Sequence, residues 1–172
     1  FREETEGQRR SESAPEGERD DSHATWPSRA GEDLPDGEWH TAAIVWIDLG
    51  LPPDADEEKV FETVTLVLPA LTAITQDYFG RAIPHRDGLT ALFGAPAAHE
   101  DDVEQAVQAA LEMRGYLAKR ARQSQISLGF RLAVSYGQVV AGYIGPEYHS
   151  EFAVKGEPVR AAEQIAKSVP PG

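Results

Sequence analysis

Two aspartates carry the chemistry this sequence offers. Asp87 lies in His85-Arg86-Asp87-Gly88-Leu89-Thr90-Ala91-Leu92-Phe93-Gly94-Ala95-Pro96, and Asp48 closes the apolar run Ala42-Ala43-Ile44-Val45-Trp46-Ile47. An Asp-Gly pair beside strand-like residues signals a tight hairpin, with Gly88 expected to take a positive φ and Asp87 to stand at the tip. Two carboxylates, each at the edge of a buried strand, can converge on one metal ion. Each also has an ordinary reading, Asp87 as a turn residue and Asp48 as a strand-end cap.

The elements that must position them follow from patterning. Ala42 to Ile47 reads as a central strand, continuously apolar because both faces are covered. Leu49-Gly50-Leu51-Pro52-Pro53 breaks it, and the acids from Asp54 to Glu58 suit the positive end of a helix dipole. Val60, Phe61, Val64, Val67, Leu68, Leu71 and Ile74 then recur at helical spacing as one buried stripe. Pro69, inside that stripe, is expected to kink or shorten the helix, and Phe79-Gly80 closes it. Arg81 to His85 and Leu89 to Phe93 form the hairpin around Asp87.

A second helix starts after His99, led by Glu100, Asp101 and Asp102. Its expected buried face is Val103, Ala106, Val107, Ala110, Leu111 and Leu117, and Lys119, Arg120 and Arg122 end it. Ser127 to Ser135 alternates apolar and small or polar residues, the period of a strand. Tyr136-Gly137-Gln138 reads as a turn, and Val139 to Ile144 as the partner strand. Phe152 to Val154 is a short strand. Gly156-Glu157-Pro158 opens a last helix carrying Val159, Ala162, Ile165 and Ala166 on its inner side. The order predicts an α+β fold, a ferredoxin-like palm with a βαββαβ core and helices on one sheet. No internal repeat is visible.

Composition narrows the partners. The chain has 172 residues, a formal charge of −13 and no cysteine. Residues 1–39 hold twelve Asp and Glu against five Arg, a net of −7, and almost no aliphatic side chains. That segment cannot bury enough apolar surface to offset its entropy and reads as a disordered acidic linker or tail. The folded domain is expected over 40–172. Trp39 is expected to pack where it begins, and Trp26 is a stray aromatic in the linker. The acidic balance argues against nucleic acid or an anionic membrane as partner. No apolar run approaches the ~20 residues that span a bilayer. The lack of cysteine fits a reducing, cytoplasmic setting.

Three ordered blocks carry a family resemblance. Residues 87–102 (Asp-Gly-Leu-Thr-Ala-Leu-Phe-Gly-Ala-Pro-Ala-Ala-His-Glu-Asp-Asp), with 106–113 behind them, resemble the class III adenylyl/guanylyl cyclase catalytic domain, bacterial type. So do Arg-Leu-Ala-Val-Ser-Tyr-Gly-Gln-Val-Val-Ala-Gly-Tyr-Ile-Gly (131–145) and Phe-Ala-Val-Lys-Gly-Glu-Pro-Val-Arg-Ala-Ala (152–162). Members normally continue past such a Pro-Pro-Gly with further strand and helix, so the C-terminal part is expected to be missing. The family makes cyclic nucleotides from nucleoside triphosphates. Two aspartates hold two Mg²⁺ or Mn²⁺ ions for an in-line phosphoryl displacement. Its sites form between two subunits of a homodimer or heterodimer.

By that resemblance Asp48 and Asp87 fall on the metal aspartates. The other working positions are substituted. Ile83 and Ala153 stand at the base-selecting pair, Arg160 at the transition-state Asn, and Gln164 at the phosphate-clamping Arg. Arg86 replaces the Gly before the second aspartate. The turn after Asp48 is one residue short and runs into Pro52 and Pro53, which lack the N–H groups that cradle phosphate. Arg160 reads as a solvated arginine rather than a relocated clamp. His85 and His99 read as a turn and a helix-leading histidine, and Lys155 as a surface charge. The resemblance therefore implies a degenerate cyclase domain acting as a regulatory or dimerisation module. The competing reading is a cyclase of low activity, or the metal-donating half of a heterodimer.

Overall fold

The computed structural model describes residues 37–123, 128–145 and 150–171. The order is β1 (Glu38–Asp48), α1 (Glu57–Asp77), β2 (Arg81–His85), β3 (Gly88–Phe93), α2 (Asp102–Gln123), β4 (Arg131–Ile144), β5 (Glu151–Lys155) and α3 (Glu157–Ser168). The strands make one sheet in the order β2-β3-β1-β4-β5, every neighbouring pair antiparallel. This is the expected palm, with one strand added at the β4 edge.

Each sheet face has its own core. On one, Ala43, Val45, Ile47, Leu89, Ala91 and Phe93 meet Val67 and Leu71 of α1 and Ala106, Met113 and Leu117 of α2. On the other, Ala42, Ile44, Leu92, Ala133 and Val139 meet Ala162 and Ala166 of α3. The continuously apolar β1 is explained: Ala42, Ala43, Ile44, Val45 and Ile47 all have no exposed surface, because helices cover both sides.

The helix ends obey local chemistry. Asp56 caps α1, its Oδ1 accepting from the N–H groups of Glu58 and Lys59, with Glu57 and Glu58 in the first turn. At the other end Phe79 N–H donates to Gln76 O and Gly80 N–H to Thr75 O, the bond pair that closes a helix through a left-handed residue. That residue is Phe79 (φ 60°), not Gly80. Gly80 answers a different need, since a Cβ there would lie 2.5 Å from the Phe93 ring.

Several expectations need correction. Residues 136–138 are not a turn. β4 runs unbroken from Arg131 to Ile144, paired with β1 from Arg131 to Ala141, and Gly137 makes room for Pro158, whose Cγ would lie 2.9 Å from an added Cβ. Gly88 has no positive φ; the hairpin loop is Arg86-Asp87, and Gly88 is the first residue of β3. Pro69 neither ends nor shortens α1, and it lies on the exposed side of the helix. The buried face of α2 is Asp102, Ala106, Ala109, Met113 and Leu117, whereas Val103, Val107 and Leu111 are exposed. Phe61, Ile165 and Trp39 are exposed as well, Trp39 to 72%. The expectations for residues 1–36, Trp26 included, and for Ser127 lie outside the described residues.

Candidate functional site

Strand register builds the candidate site as a single row. Asp48 pairs with Gly88 of β3 and with Arg131 of β4, and His85 of β2 pairs with Gly88. Cross-strand partners share a face, so His85, Gly88, Asp48 and Arg131 run across four strands on the side that α3 covers. Gly88 contributes no side chain to this row. Its backbone comes so near β1 that an added Cβ would lie 2.0 Å from the carbonyl oxygen of Ile47.

The hairpin is fastened to the strand end. Leu49 N–H donates to the carbonyl of Asp87 (2.8 Å), so the fold brings the two aspartates to neighbouring positions. The turn after Asp48 is fixed from the other side. Gly50 has φ 55°, its carbonyl accepts from Gly129 N–H (3.3 Å), and a Cβ on it would collide with Gly129 O at 1.9 Å.

Asp48 is already engaged. Its Oδ1 accepts from Gly50 N–H at 2.8 Å and its Oδ2 from Arg131 Nη1 at 3.3 Å. Arg131 is held in turn, since its Nε donates to the carbonyl of Val169 just beyond α3 (3.1 Å). The pair is largely shielded, with side chains 25% (Arg131) and 18% (Asp48) exposed. The N–H of Gly50, which a phosphate-cradling turn would direct outward, points back at Asp48.

The surroundings are densely charged. The ring of His85 stacks on Trp46 with centroids 4.2 Å apart and planes 16° from parallel. Its Nε2 is buried with no hydrogen-bond partner. Burial lowers the pKa of His85 below its usual 6.5, although Asp87, the Leu89 backbone, Asp48 and Glu163 pull the other way. Lys167 Nζ donates to Glu163 Oε1 (2.6 Å), and that bond is the main reason its pKa is raised, with Asp48 and Asp87 adding to it. Glu163 and Lys167 of α3 thus share the field of the two aspartates.

The other positions do not join this cluster. Ile83 is half-buried in β2 against the α3-side core. Ala153 is half-buried in β5 opposite Gly142, a register that puts it on the other face of the sheet. β2 and β5 are the two outer strands, so the pair sits at opposite edges. Arg160 is exposed and bonded through Nη2 and Nε to Glu157 Oε2 (2.7 and 3.2 Å). Gln164 is exposed one turn further along α3. Lys155 is exposed at the end of β5, and His99 contacts Asp102, whose Oδ2 accepts the His99 N–H. Sequence reasoning missed Arg131, Glu163 and Lys167. Alternation puts Arg131 on one face of its strand, but its meeting with Asp48 needs the β1–β4 register.

Of the two aspartates that would hold a divalent ion, Asp48 already has a donor at each oxygen. Mg²⁺ and Mn²⁺ need free oxygen lone pairs close to the ion. One Asp48 oxygen faces a backbone donor and the other a permanent cation. Among the described residues, no group of three or more His, Cys, Asp or Glu converges. Arg131 therefore neutralises Asp48 in this arrangement.

No family model matches the chain. It is 32% identical over 149 residues to an uncharacterized protein of Mycobacterium tuberculosis, covering 78% of this chain and 24% of that protein. A second uncharacterized protein of that organism is 34% identical over 142 residues, with 78% and 26% covered. The chain thus spans about a quarter of the length of the curated relatives it matches. Among solved structures, the guanylyl cyclase Cya2 superposes with a TM-score of 0.69 at 25% identity, over 77% of this chain and 72% of that one. The adenylyl cyclase CyaB from P. aeruginosa gives 0.67 at 19% identity, over 77% and 74%. The guanylate cyclase domain of RhGC from Catenaria anguillulae, in complex with GTP, gives 0.63 at 16% identity, over 76% and 75%.

Proposed function

The chain is a cyclase-homology domain with the class III nucleotide cyclase fold, and from that premise we propose that it is catalytically degenerate. It serves as a regulatory or dimerisation module of a larger signalling protein. Its partner is a second cyclase-type domain, its surroundings are cytoplasmic, and a nucleoside triphosphate is the ligand class to test. No helix among the described residues is long and apolar enough to cross a membrane.

One observation carries the reading. The side chains at the positions that would grip a base and a leaving phosphate differ from those the family uses there. The side chains of Ile83 and Ala153 have no polar atoms with which to read a base edge, and Arg160 is exposed beside Glu157. Gln164 carries no charge for a phosphate. Removing one preorganised donor of this kind typically costs about 3 kcal/mol of barrier, a hundredfold or more in rate. Several such losses together erase most of the chemistry even when they do not add.

The competing reading, a metal-donating half of a heterodimer or a cyclase of low activity, draws on the adjacency of Asp48 and Asp87. The test is direct: purified domain with Mn²⁺ and labelled ATP or GTP, alone and mixed with an active cyclase domain, is assayed for cyclic product and by sedimentation for association. Association without product from the domain alone is the expected result. Cyclic product from the domain alone would overturn the proposal, and product in the mixture beyond that of the added cyclase alone, lost in Asp48→Asn, would favour the competing reading.

A further inference from the structure

We infer that residues 16–26, which lie outside the described residues, dock on the outer face of α2. Trp26 sits against Val107 and Leu111, and the acids before it meet Arg114, Lys119 and Arg122. The inference uses a surface apart from the candidate site, so it stands or falls independently of the cyclic-nucleotide assay.

The face combines two features. Val107 and Leu111 are 40% and 54% exposed, one turn apart, on the side of α2 away from the sheet. One turn further on, Gly115 leaves bare backbone, since an added Cβ would meet nothing within 4 Å. Glycine in mid-helix is destabilising relative to alanine, so α2 keeps this flat seat beside Leu111 at a cost to itself. Beyond it the charge changes sign. From Met113 to Arg131 the sequence has five basic residues and no Asp or Glu, in a chain of net charge −13. Arg114, Lys119 and Arg122 are exposed, and none of them forms an ion pair or a side-chain hydrogen bond among the described residues. The helix dipole explains a cation in the last turn, such as Arg122, but its effect fades before Arg114.

The segment carries the complementary features in the matching order. Glu16, Glu18, Asp20 and Asp21 stand against Arg19, a net of −3, and Trp26 follows. Eleven residues separate Trp26 from Gly37, where the described backbone begins, and they reach at most about 36–40 Å. The face lies within that reach. An added Cβ on Gly94 would lie 2.9 Å from both Thr41 O and Asp102 Oδ2, so β1 and the start of α2 meet there. Gly37 to Thr41 is about 13 Å of strand, and Asp102 to Leu111 about 14 Å of helix. A chain arriving from that end brings Trp26 to Leu111 first, and the acids, further from the tether, continue toward the basic end. Leu111 stands about 12–16 Å from Lys119 and Arg122 along the helix, and Trp26 about 17–20 Å from Asp21 and Asp20 in extended chain. A short tether also holds the segment at a millimolar effective concentration, so a contact too weak to form between separate molecules is populated within one.

The test uses the full chain labelled with fluorotryptophan, with Trp26→Phe identifying the Trp26 line beside those of Trp39 and Trp46 in fluorine NMR spectra. In wild type the Trp26 line is expected away from its position in the urea-unfolded chain. It should return toward that position in Leu111→Ser and in the double variant Lys119→Glu with Arg122→Glu. Raising NaCl from about 0.1 to about 1 M shortens the Debye length from ~10 to ~3 Å and should at least halve the displacement. These substitutions are on exposed positions, so thermal melts should stay close to wild type, which separates undocking from unfolding. A wild-type Trp26 line at the unfolded position overturns the inference. So does a displaced line that Leu111→Ser leaves in place, which would seat Trp26 on another surface. A displacement that vanishes on dilution, as sedimentation shows dimers separating, would also overturn it by giving the face to a second copy.

Discussion

Gly88→Ala is expected to destabilise the domain by about 2–4 kcal/mol, while Gly115→Ala stabilises it by about 0.5–1 kcal/mol. The contrast follows from where each Cβ would go. At Gly88 it lands 2.0 Å from Ile47 O, 2.9 Å from Ile47 C and 3.4 Å from the Cα of Asp48. Comfortable carbon contacts lie at about 3.5–4.0 Å, so β1 and β3 must part by more than an ångström at that end. The opening takes with it the Leu49–Asp87 hydrogen bond and the terminal rung of the β1–β3 ladder. Each such bond is worth about 1 kcal/mol net, and the bent strands add distortion. At Gly115, mid-helix and exposed, a Cβ meets nothing within 4 Å, so alanine simply reduces the entropy of the unfolded chain. Urea unfolding followed by circular dichroism measures both, and an unchanged m-value licenses the comparison. At this domain size the Gly88 variant should melt about 10 °C lower. A Gly88→Ala protein within about 1 kcal/mol of wild type, with m unchanged, would refute the claim that glycine is there for close strand approach.

Phe79→Gly should stabilise by about 1 kcal/mol in the same assay, since Phe79 holds a left-handed φ of 60° while 76% exposed and loses little burial on replacement. Asp56→Ala should cost about 1 kcal/mol by leaving the Glu58 and Lys59 N–H groups without their cap. Glu157→Gln should change stability by less than about 0.5 kcal/mol, because its bond to Arg160 lies in solvent. His85 gives a pH dependence. Its folded pKa is lowered, so the unfolded chain takes up the proton first as pH falls. The associated stability is complete above pH 6.5 and is lost as pH drops through that value toward the lowered pKa. His85→Phe, which keeps a ring against Trp46, should flatten that slope in unfolding curves recorded across the acid range.

The palm was legible because its evidence is local. Asp56 to Glu58, the helical spacing of Val67, Leu71 and Ile74, and the unbroken apolar β1 each report their own structure. Errors arose where a residue answered to a distant neighbour. Gly137 looked like a turn, but its missing Cβ serves Pro158, twenty-one positions away. Gly88 looked like a hairpin glycine, yet its partner is the Ile47 carbonyl across a strand pair. On α2, Val103, Val107 and Leu111 make as good an apolar stripe as Ala106, Ala109 and Met113, and only the packed sheet chooses between them. The candidate site divides the same way. Asp48 and Asp87 announce themselves by strand ends and turn chemistry, whereas Arg131 becomes part of the site only when β4 pairs with β1 in a particular register.

That separation between fold and site has an energetic side. None of Asp48, Ile83, Asp87, Arg131, Ala153, Arg160 and Gln164 belongs to the fully buried core; the two cores rest on aliphatic and aromatic side chains of β1, β3, β4 and the three helices. Large costs for substitution come from core cavities, buried unpaired charge or special backbone positions. Most of these positions meet none of those conditions, so exchanges there are expected to leave the palm folded. The exception is the Asp48–Arg131 pair, where losing either partner leaves a partly shielded charge uncompensated. Of these positions, the two partners of that pair are therefore the ones expected to resist change singly.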